Sequence, residues 1–527
     1  MVEVAMMLEL LSYAVLFIAS YLIVKTIIYN KSRPKLPPGP IALPIIGHLH
    51  HLGPFLHQTF HKLSSRYGPL IYLRLGSVGC VVASNPELAK EFLKTYELTF
   101  ANRKQTAAIN HLTYNSSFAF DPYGPYWKFI KKLSTNELLG NRTLSQFLPV
   151  RTKELHHFME FLLEKSKAGE SVNVTQELLK LTSNIISEMM LSMKCSGSGN
   201  SADGVQTIVR EVTEIFGEFS ISDIIWLCKN WDLQGFRKRF EDIHRRYDAL
   251  LERIIRDREE VRKSKKGRNE CYQGDNVDEV KDFLDMMLDV LETDNSEMQL
   301  TRNHIKACIM DFLTAATDTA AIALEWALAE LINHPDVLKI AQEEIDQVVG
   351  KSRLVEESDN PRLLYIHAII KETFRLHPPI PMINRKSVQS CQIKGYTIPA
   401  DSLLFVNIWA IGRDPNVWAD PLKFQPERFL TSNEGDNNSG PIDVRGLHYQ
   451  LLPFGAGRRR CPGTSLAMQE LPTTLAAMIQ CFHWKPAATS KIGDGVDMSE
   501  RPGLTAPRAK DLECVPIARF TPTLFAT

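Results

Sequence analysis

Apolar residues recur at helical spacing, three or four positions apart, through most of this chain. Two short apolar runs, residues 71–75 and 80–83, are separated by a glycine turn and predict a β-hairpin. Together these patterns predict a fold that is mainly α with a minor β-sheet. Predicted helices cover residues 127–139, 174–193, 205–219, 235–263, 301–333 and 466–482, and further strands lie near residues 391–399 and 403–407.

The segment 301–333 is apolar over most of its length and ends just before Pro335. A single helix of this size would measure roughly 45 to 50 Å at about 1.5 Å per residue. Such a length predicts a buried central helix. In its middle, Ala315-Ala-Thr-Asp-Thr319 places two threonines and an acid where apolar residues are expected.

The apolar run at residues 5–24 is interrupted by one charge, Glu9, and is long enough to span a bilayer as a helix. A cleaved signal peptide is disfavoured because the start is acidic, the run is long and no clear small-residue cleavage site follows. Basic residues after the run predict a luminal N-terminus and a cytosolic main domain. We predict an N-terminal membrane anchor at 1–30, a basic and proline-rich hinge at 31–44, and one large domain at 45–527.

Composition narrows the classes of partner. The chain has 527 residues, 44% of them hydrophobic, and its 61 Lys and Arg residues balance 61 Asp and Glu residues. This neutral balance gives no overall attraction to nucleic acid, so no nucleic-acid partner is expected. The nine cysteines are scattered without a CxxC pair, which predicts a reduced, cytosolic domain.

The stretch Phe454-Gly-Ala-Gly-Arg-Arg-Arg-Cys-Pro-Gly463 sets one cysteine, Cys461, in a basic and glycine-rich loop. A thiolate that ligates a metal needs nearby positive charge or N–H donors, because the free thiol ionises only at a pKa of about 8.5. Glycines allow the backbone to curl so that amides point at the sulfur. The competing interpretation is a buried, inert thiol ahead of a helix.

This stretch resembles the haem-binding signature of the cytochrome P450 superfamily, which implies the P450 fold and haem b with Cys461 as the axial iron ligand. A cysteinate ligand favours O–O cleavage. The resemblance implies O2 chemistry with NADPH electrons delivered by NADPH-cytochrome P450 reductase, on the cytosolic face of the endoplasmic reticulum membrane. It also implies cofactor contacts at Phe454, Gly455, Gly457, Arg459, Gly463, Trp127 and Lys131, with Lys128, Lys132, Arg458 and Arg460 forming a basic surface towards the reductase.

Within the central helix, the resemblance assigns Asp318 and Thr319 to proton delivery. An alcohol beside a carboxylate in a partly dry cavity can relay protons to reduced oxygen. The competing interpretation is structural, with the threonine hydroxyls bonded to carbonyls one turn earlier. The family usually has glycine where Ala316 stands and a second hydroxyl where Ala320 stands, which affects the expected coupling of oxygen use to product.

Two further segments resemble the superfamily's Glu-Arg-Arg brace. Glu372 and Arg375 are three positions apart and share one helix face. Arg428, in Pro426-Glu-Arg-Phe429, is expected to close on Glu372. The expected role is structural support of the haem pocket.

Long stretches also resemble plant flavone synthases of the second, membrane-bound type, including Phe100-Ala-Asn-Arg-Lys-Gln-Thr106, Leu112-Thr-Tyr-Asn-Ser-Ser117 and Glu500-Arg-Pro-Gly-Leu-Thr-Ala-Pro507. The resemblance implies oxidation of a (2S)-flavanone such as naringenin to a flavone such as apigenin. Isoflavone-forming relatives typically carry serine and lysine where Thr314 and Asn384 stand, which argues against aryl migration. Expected pocket residues are Thr113, Phe120, Phe216, Thr314, Ala315, Ile380, Met382 and Asn384.

Other functions remain open from the sequence. A flavanone 2-hydroxylase is the nearest alternative, and a hydroxylase of another plant metabolite such as a triterpenoid is a more distant one. A non-catalytic haem protein would need neither the Asp318-Thr319 pair nor an apolar roof. A haem-thiolate isomerase acting on peroxides would need no reductase and no alcohol relay.

Overall fold

The computed structural model describes residues 35–194, 202–218, 220–229, 231–269, 280–293, 298–430, 442–489, 491–492 and 495–520, together with Met6, Tyr13, Phe17 and Ser20. The predicted anchor and the start of the hinge therefore lie outside the described residues, apart from these four positions. Within the described part, helices dominate and the strands are few and short. The prediction of a mainly α fold with a minor sheet is confirmed.

The α-helices of the described chain form a layered body around one long central helix, α12. In chain order they are α1 Leu56–Tyr67, α2 Pro86–Lys90, α3 Ala107–Leu112, α4 Pro125–Leu133, α5 Asn141–Gln146, α6 Leu148–Ala168, α7 Val174–Leu191, α8 Ala202–Gly217, α9 Ile221–Ile224, α10 Phe236–Asn269, α11 Phe283–Glu292, α12 Arg302–Asn333, α13 Pro335–Val348, α14 Leu364–Leu376, α15 Ile408–Ile411 and α16 Thr464–Cys481.

The strands lie at the edges of the helical body. They are β1 Leu70–Leu75, β2 Val78–Ala83, β3 Val172–Asn173, β4 Met382–Lys386, β5 Cys391–Ile393, β6 Tyr396–Ile398, β7 Leu403–Asn407, β8 Phe482–Pro486, β9 Lys491–Ile492, β10 Gly495–Val496 and β11 Glu513–Ala518. The largest sheet has the order β1-β2-β7-β4, and β1 and β2 form the predicted antiparallel hairpin. In this sheet β7 lies between β2 and β4, parallel to β2 and antiparallel to β4.

The central helix α12 begins at a capping box, in which Thr301 and His304 each satisfy a backbone N–H of the other. It ends at Asn333, where the sequence predicted its end, and His334 is its C-cap ahead of Pro335. Among the described residues, α12 is the one helix long and apolar enough to cross a membrane, yet most of it is buried inside the protein. It packs on α7, α14 and α16, and so its hydrophobicity serves the core.

Most predicted helix ends lie within three residues of the observed ones, and two predicted helices differ by more. The helix predicted at 235–263 continues to Asn269, because Arg258 and Arg262 pair with acidic residues around α11 and stabilise its polar end. The helix predicted at 127–139 divides into α4 and a π-helical turn, Ser134–Leu138. Here the hydroxyl of Ser134 donates to the Ile130 carbonyl, which competes with the regular helical pattern.

Candidate active site

The Cys461 loop is a tight turn that packs against the N-terminal third of the chain. The Cys461 amide donates to the Phe454 carbonyl at 2.9 Å, which closes the turn. Gly455 and Gly457 both have φ near 70°, in the left-handed region that favours glycine. A Cβ atom on Gly457 would lie 2.7 Å from the Leu93 carbonyl oxygen, so this position has no room for a side chain.

Burial raises the pKa of the Cys461 thiol, while the Gly463 amide and the charge of Lys131 act in the opposite direction. Gly463 is the N-cap of α16, and the sulfur therefore lies at the positive end of that helix. The hydroxyl of Thr464 donates to the Cys461 carbonyl at 3.0 Å and does not cap the helix. The thiol thus has the N–H donor and the cations that stabilise a thiolate.

Three arginines converge beside this loop, and two of them were not singled out from the sequence. Arg459 is buried against the indole of Trp127, with its guanidinium carbon 4.5 Å from the ring centre. Arg385 lies in β4, and burial together with the charges of Arg103 and Arg459 lowers its pKa well below the usual value. Burial likewise lowers the pKa of Arg459 to about 9. Arg103 Nε and Arg459 Nη1 have no hydrogen-bond partner among the described residues.

Trp127 and Lys131 occupy successive turns of α4, as the sequence predicted. Trp127 is buried, and the Lys131 ammonium donates to the Arg460 carbonyl at 2.8 Å. Burial lowers the pKa of Lys131 to about 8, despite the opposing charge of Cys461. Both side chains therefore lie next to the cysteine loop.

The middle of α12 faces an internal opening. Ala315 is exposed and Ala316 is partly exposed, although the helix around them is buried. Thr319 lies one turn from Ala315 and donates its hydroxyl to the Ala315 carbonyl at 2.8 Å. The hydroxyl of Thr317 has no partner among the described residues, so the back-bonding interpretation holds for one of the two threonines.

Asp318 points to the other side of the opening, towards α8. It shares a side-chain hydrogen bond with Thr213, and burial raises its pKa to about 6 against the charges of Arg501 and Arg210. Arg501 follows Glu500, which is fixed by a 2.7 Å contact with His57. An acid with this pKa can give and regain a proton near neutral pH.

The structure brings the three brace residues together. Arg375 and Glu372 form two hydrogen bonds of 2.6 and 2.7 Å, and neither side chain is exposed. Arg428 adds a third bond to Glu372 at 3.1 Å. The remaining Arg375 nitrogen reaches the carbonyls of Gly412 and Pro421. The network thus connects α14 to the segment 412–421 and to Arg428, both of which precede the cysteine loop in the chain.

Of the expected pocket residues, Phe120 and Phe216 form an edge-to-face pair with ring centres 5.6 Å apart. Phe216 lies one turn beyond Thr213 on α8, and Thr213 is the hydrogen-bond partner of Asp318, so Phe216 is close to this stretch of α12. Thr314 is partly exposed, but its hydroxyl donates to the Met310 carbonyl at 2.7 Å.

The other pocket candidates divide into two groups. Met382 and Asn384 share one face of β4 and are partly exposed, and Ile380 just before them is 38% exposed. Thr113 is different. It is buried, and its hydroxyl donates to the Ile109 carbonyl at 2.7 Å, so it belongs to the core. Asn384 Oδ1 has no partner within the described chain.

Residues 37–510 match the family model for cytochrome P450, which is most of the chain. The chain belongs to the cytochrome P450 family. It is similar to cytochrome P450 93B16 of Glycine max, with 57% identity over 98% of both chains, and to cytochrome P450 93B2 of Gerbera hybrida, with 59% identity over 93% of both. A 3,9-dihydroxypterocarpan 6A-monooxygenase of Glycine max is 49% identical over 97% of this chain and 99% of its own. This cytochrome P450 therefore sits among plant monooxygenases.

Cytochromes P450 carry haem b and take NADPH electrons through a reductase. The residues of this cytochrome P450 fit that group. A buried guanidinium without an anion is costly, and here the unpartnered Arg103 and Arg459 nitrogens lie beside the Cys461 loop. Two haem propionates would supply the missing anions. On α12, the exposed Ala315 presents an uncharged surface to the opening.

Sequence reasoning missed Arg103 and Arg385. Arg103 stands within the stretch Phe100-Ala-Asn-Arg-Lys-Gln-Thr106 and Arg385 directly follows the pocket candidate Asn384. A signal was available for Arg385, because it lies between two pocket candidates and the Cys461 loop in the chain order and directly follows Asn384, and an arginine buried beside a pocket has to be paired or face a ligand. No comparable signal marks Arg103, whose neighbours are polar.

Proposed function

We propose that this cytochrome P450 is a flavone synthase that oxidises (2S)-flavanones such as naringenin to flavones such as apigenin. The observations that carry the proposal are the edge-to-face Phe120–Phe216 pair and the exposed, uncharged Ala315 in the middle of α12. A flat aromatic substrate fits between an aromatic wall and such a face, since offset and edge-to-face ring contacts add attraction beyond apolar burial. One relative acts, by its name, on 3,9-dihydroxypterocarpan.

Bound haem supplies the reductive activation of O2 and the cleavage of the O–O bond. The overall reaction is balanced by one NADPH and one proton, with two waters released as flavanone loses hydrogen from C2 and C3. Either direct loss of both hydrogens, or hydroxylation at C2 followed by dehydration, gives the C2=C3 double bond. The residues of this chain hold the ring system and handle the protons.

We assign Asp318 and Thr319 to proton delivery. Asp318, with its pKa near 6, takes a proton from water on the Thr213 side and passes it along the α12 surface. The Thr319 hydroxyl donates to the Ala315 carbonyl and keeps its oxygen lone pairs free to accept the next proton. The partly exposed Ala316 and Ala320 leave room beside it for water.

The surrounding residues have supporting roles in the proposal. Cys461 would ligate the haem iron, and Phe454, Gly455, Gly457 and Gly463 shape its loop. Arg459, Trp127 and Lys131, together with Arg103 and Arg385, would hold the propionates. The brace of Glu372, Arg375 and Arg428 supports the segments that lead into the loop. Met382, Asn384, Ile380 and Thr314 line the substrate side, and the hydrogen-bond capacity of Asn384 suits a flavanone hydroxyl or carbonyl.

The reductase is proposed to dock on the face around α4, where Lys128 and Lys132 are exposed. Arg460 lies on the same side, with its guanidinium bonded to the Arg445 carbonyl. Arg458 adds less positive charge to this surface than expected, because its Nε lies 3.1 Å from a carboxylate oxygen of Glu97. The acidic reductase surface should therefore meet mainly the lysines.

We also propose that the domain rests on the endoplasmic reticulum membrane beside the predicted anchor. Trp226 and Trp231 are 69% and 63% exposed, and Ile41 is 89% exposed. The segments that carry them meet at the β1–β2 turn, where the Ser77 amide donates to the Ile224 carbonyl at 3.0 Å and the Gly76 amide donates to the Ile46 carbonyl at 3.1 Å. Tryptophan is typical of the membrane interface. Brominated lipid should quench the tryptophan fluorescence of the full chain, and this quenching should fall in W226F/W231F.

The deciding experiment incubates microsomes that contain the protein and its reductase with NADPH and naringenin. We expect apigenin in the extract before any acid treatment. A product that becomes apigenin only after acid would identify a flavanone 2-hydroxylase and contradict the proposal. No turnover of naringenin, together with a normal carbon monoxide spectrum, would place the substrate in another class such as triterpenoids.

A further inference from the structure

Asp311 is a buried acid on α12, two helical turns before Asp318, and the proton relay and the brace leave it without a role. Its carboxylate accepts the Ser117 hydroxyl at 2.8 and 3.0 Å, one distance to each oxygen. It also accepts the Ala119 amide at 3.3 Å. Burial raises the pKa of Asp311 to about 7. The acid is thus held by the loop that connects α3 to α4.

Ser117 begins a compact turn in that loop. Its hydroxyl also accepts the Phe120 amide at 3.1 Å, and its carbonyl accepts the Asp121 amide at 2.8 Å. The ring of Phe118 stacks between Phe312 and Trp127, with ring centres 6.0 Å away on both sides. We call residues 117–121 the clamp loop. It is fixed to the central helix by polar and by apolar contacts.

The clamp loop reaches both halves of the proposed site. It presents Phe120, the ring that faces Phe216 at 5.6 Å. Its carbonyls orient two of the buried arginines, since the Ala119 carbonyl accepts from Arg103 at 2.9 Å and the Asp121 carbonyl accepts from Arg459. A shift of this loop would therefore move the aromatic wall and the arginines together.

We propose that Asp311 is a positioning residue for substrate, which acts through Ser117 to set the aromatic wall at Phe120. The flavanone nature of that substrate rests on the function proposed above, whereas the geometry of the wall does not. A hydrogen bond to a charged group stabilises a structure most where both partners are buried. A buried carboxylate that loses its donor has to be hydrated or has to change position. Loosening the loop should weaken binding of ligands that touch the wall and spare ligands that do not.

The test uses the full-length holoenzyme with two substitutions, Ser117→Ala and Asp311→Asn. Ser117→Thr keeps the hydroxyl and should rescue binding. Glu325→Gln is the matched control, because Glu325 is a buried acid on the same helix whose carboxylate accepts from Thr175 at 2.7 Å, away from the clamp loop. Each variant is first checked for its carbon monoxide difference spectrum, so that only haem-loaded protein is compared.

Two ligands separate the wall from the haem itself. Phenylimidazole carries a phenyl ring beyond its iron-binding nitrogen, which would contact the wall at Phe120, and imidazole lacks that ring. We expect the phenylimidazole Kd to rise about tenfold in Ser117→Ala, the size expected for one lost hydrogen bond to a charged group. It should rise less in Asp311→Asn, because the asparagine side-chain oxygen can still accept the Ser117 hydroxyl. The imidazole Kd should stay within about twofold, and Glu325→Gln should leave both Kd values unchanged. The S117A/D311N double variant should lose less affinity than the two single losses combined, since both substitutions act on the Ser117–Asp311 contact.

Naringenin is titrated in parallel by its effect on the haem spin state. The proposal is overturned if Ser117→Ala binds phenylimidazole like the wild type, or if Glu325→Gln weakens it equally. A wild-type enzyme that shows no spin shift with naringenin would count against the flavanone assignment alone, because the phenylimidazole comparison still decides the role of Asp311.

Discussion

Thr319 donates its hydroxyl to the carbonyl oxygen of Ala315, 2.8 Å away and one turn earlier on the central helix. Ala315 is exposed to the internal opening, so this bond lies at the surface where oxygen is proposed to react. A threonine that bonds back to its own helix is a common structural arrangement. Its position beside Asp318 and at the opening is what favours a chemical role here.

Replacing Thr319 with valine keeps the shape and removes the hydroxyl. We expect product formation to fall by about a hundredfold, within the range for loss of a general acid or base. Consumption of NADPH should fall much less, with the difference appearing as hydrogen peroxide. Thr319→Ser should keep most of the activity, and equal loss in both variants would argue for a packing role.

The raised pKa of Asp318 predicts how the stability of the folded protein changes with pH. Its pKa of about 6 in the folded protein lies above the value of about 3.9 in an unfolded chain. The folded state therefore binds more protons between these values, and this acid lowers stability increasingly as pH rises through that window. Asp318→Asn should slow thermal loss of the carbon monoxide band at pH 7.5 more than at pH 5.5, while it reduces turnover. A benefit that is equal at both pH values would contradict the raised pKa.

The brace predicts a large loss of stability from a single uncharged substitution. Glu372→Gln leaves Arg375 buried without its anion, which costs about 3 to 5 kcal/mol. Glu177 and Lys180 offer a matched control, because they are also three apart and joined at 2.7 Å but partly exposed. Glu177→Gln should cost under about 1 kcal/mol. Haem content and thermal inactivation of both variants measure the difference.

Gly457 combines left-handed backbone with a close neighbour, and the two effects can be separated. Gly457→Ala should abolish most of the carbon monoxide band, because a Cβ atom would press on the Leu93 carbonyl. Gly395→Ala is the control, since Gly395 also has positive φ, 77°, but nothing lies within 4 Å of its Cβ position. That variant should lose about 1 to 2 kcal/mol and keep its spectrum. Similar behaviour of the two would mean that backbone strain alone explains Gly457.

Much of the candidate site could be predicted because its residues are close in sequence. The Cys461 loop is ten residues long and the Asp318-Thr319 pair is one step of a single helix, so local spacing carries the signal. The clamp between Ser117 and Asp311 could not be predicted in this way. Its partners are 194 positions apart, and a serine in a polar loop gives no sign of its distant acid.

The sequence by itself determined the mainly helical fold, the long central helix and the cysteine loop, because periodicity and glycine placement act over short distances. The sequence also placed Thr113 among the pocket residues. In the folded chain Thr113 is buried instead, and its hydroxyl donates to the Ile109 carbonyl. Only the tertiary structure brought Arg103, Arg385 and Arg459 together and set Phe120 against Phe216. Such convergence depends on how sheet and helices pack across the whole chain, and packing of distant segments leaves no local pattern.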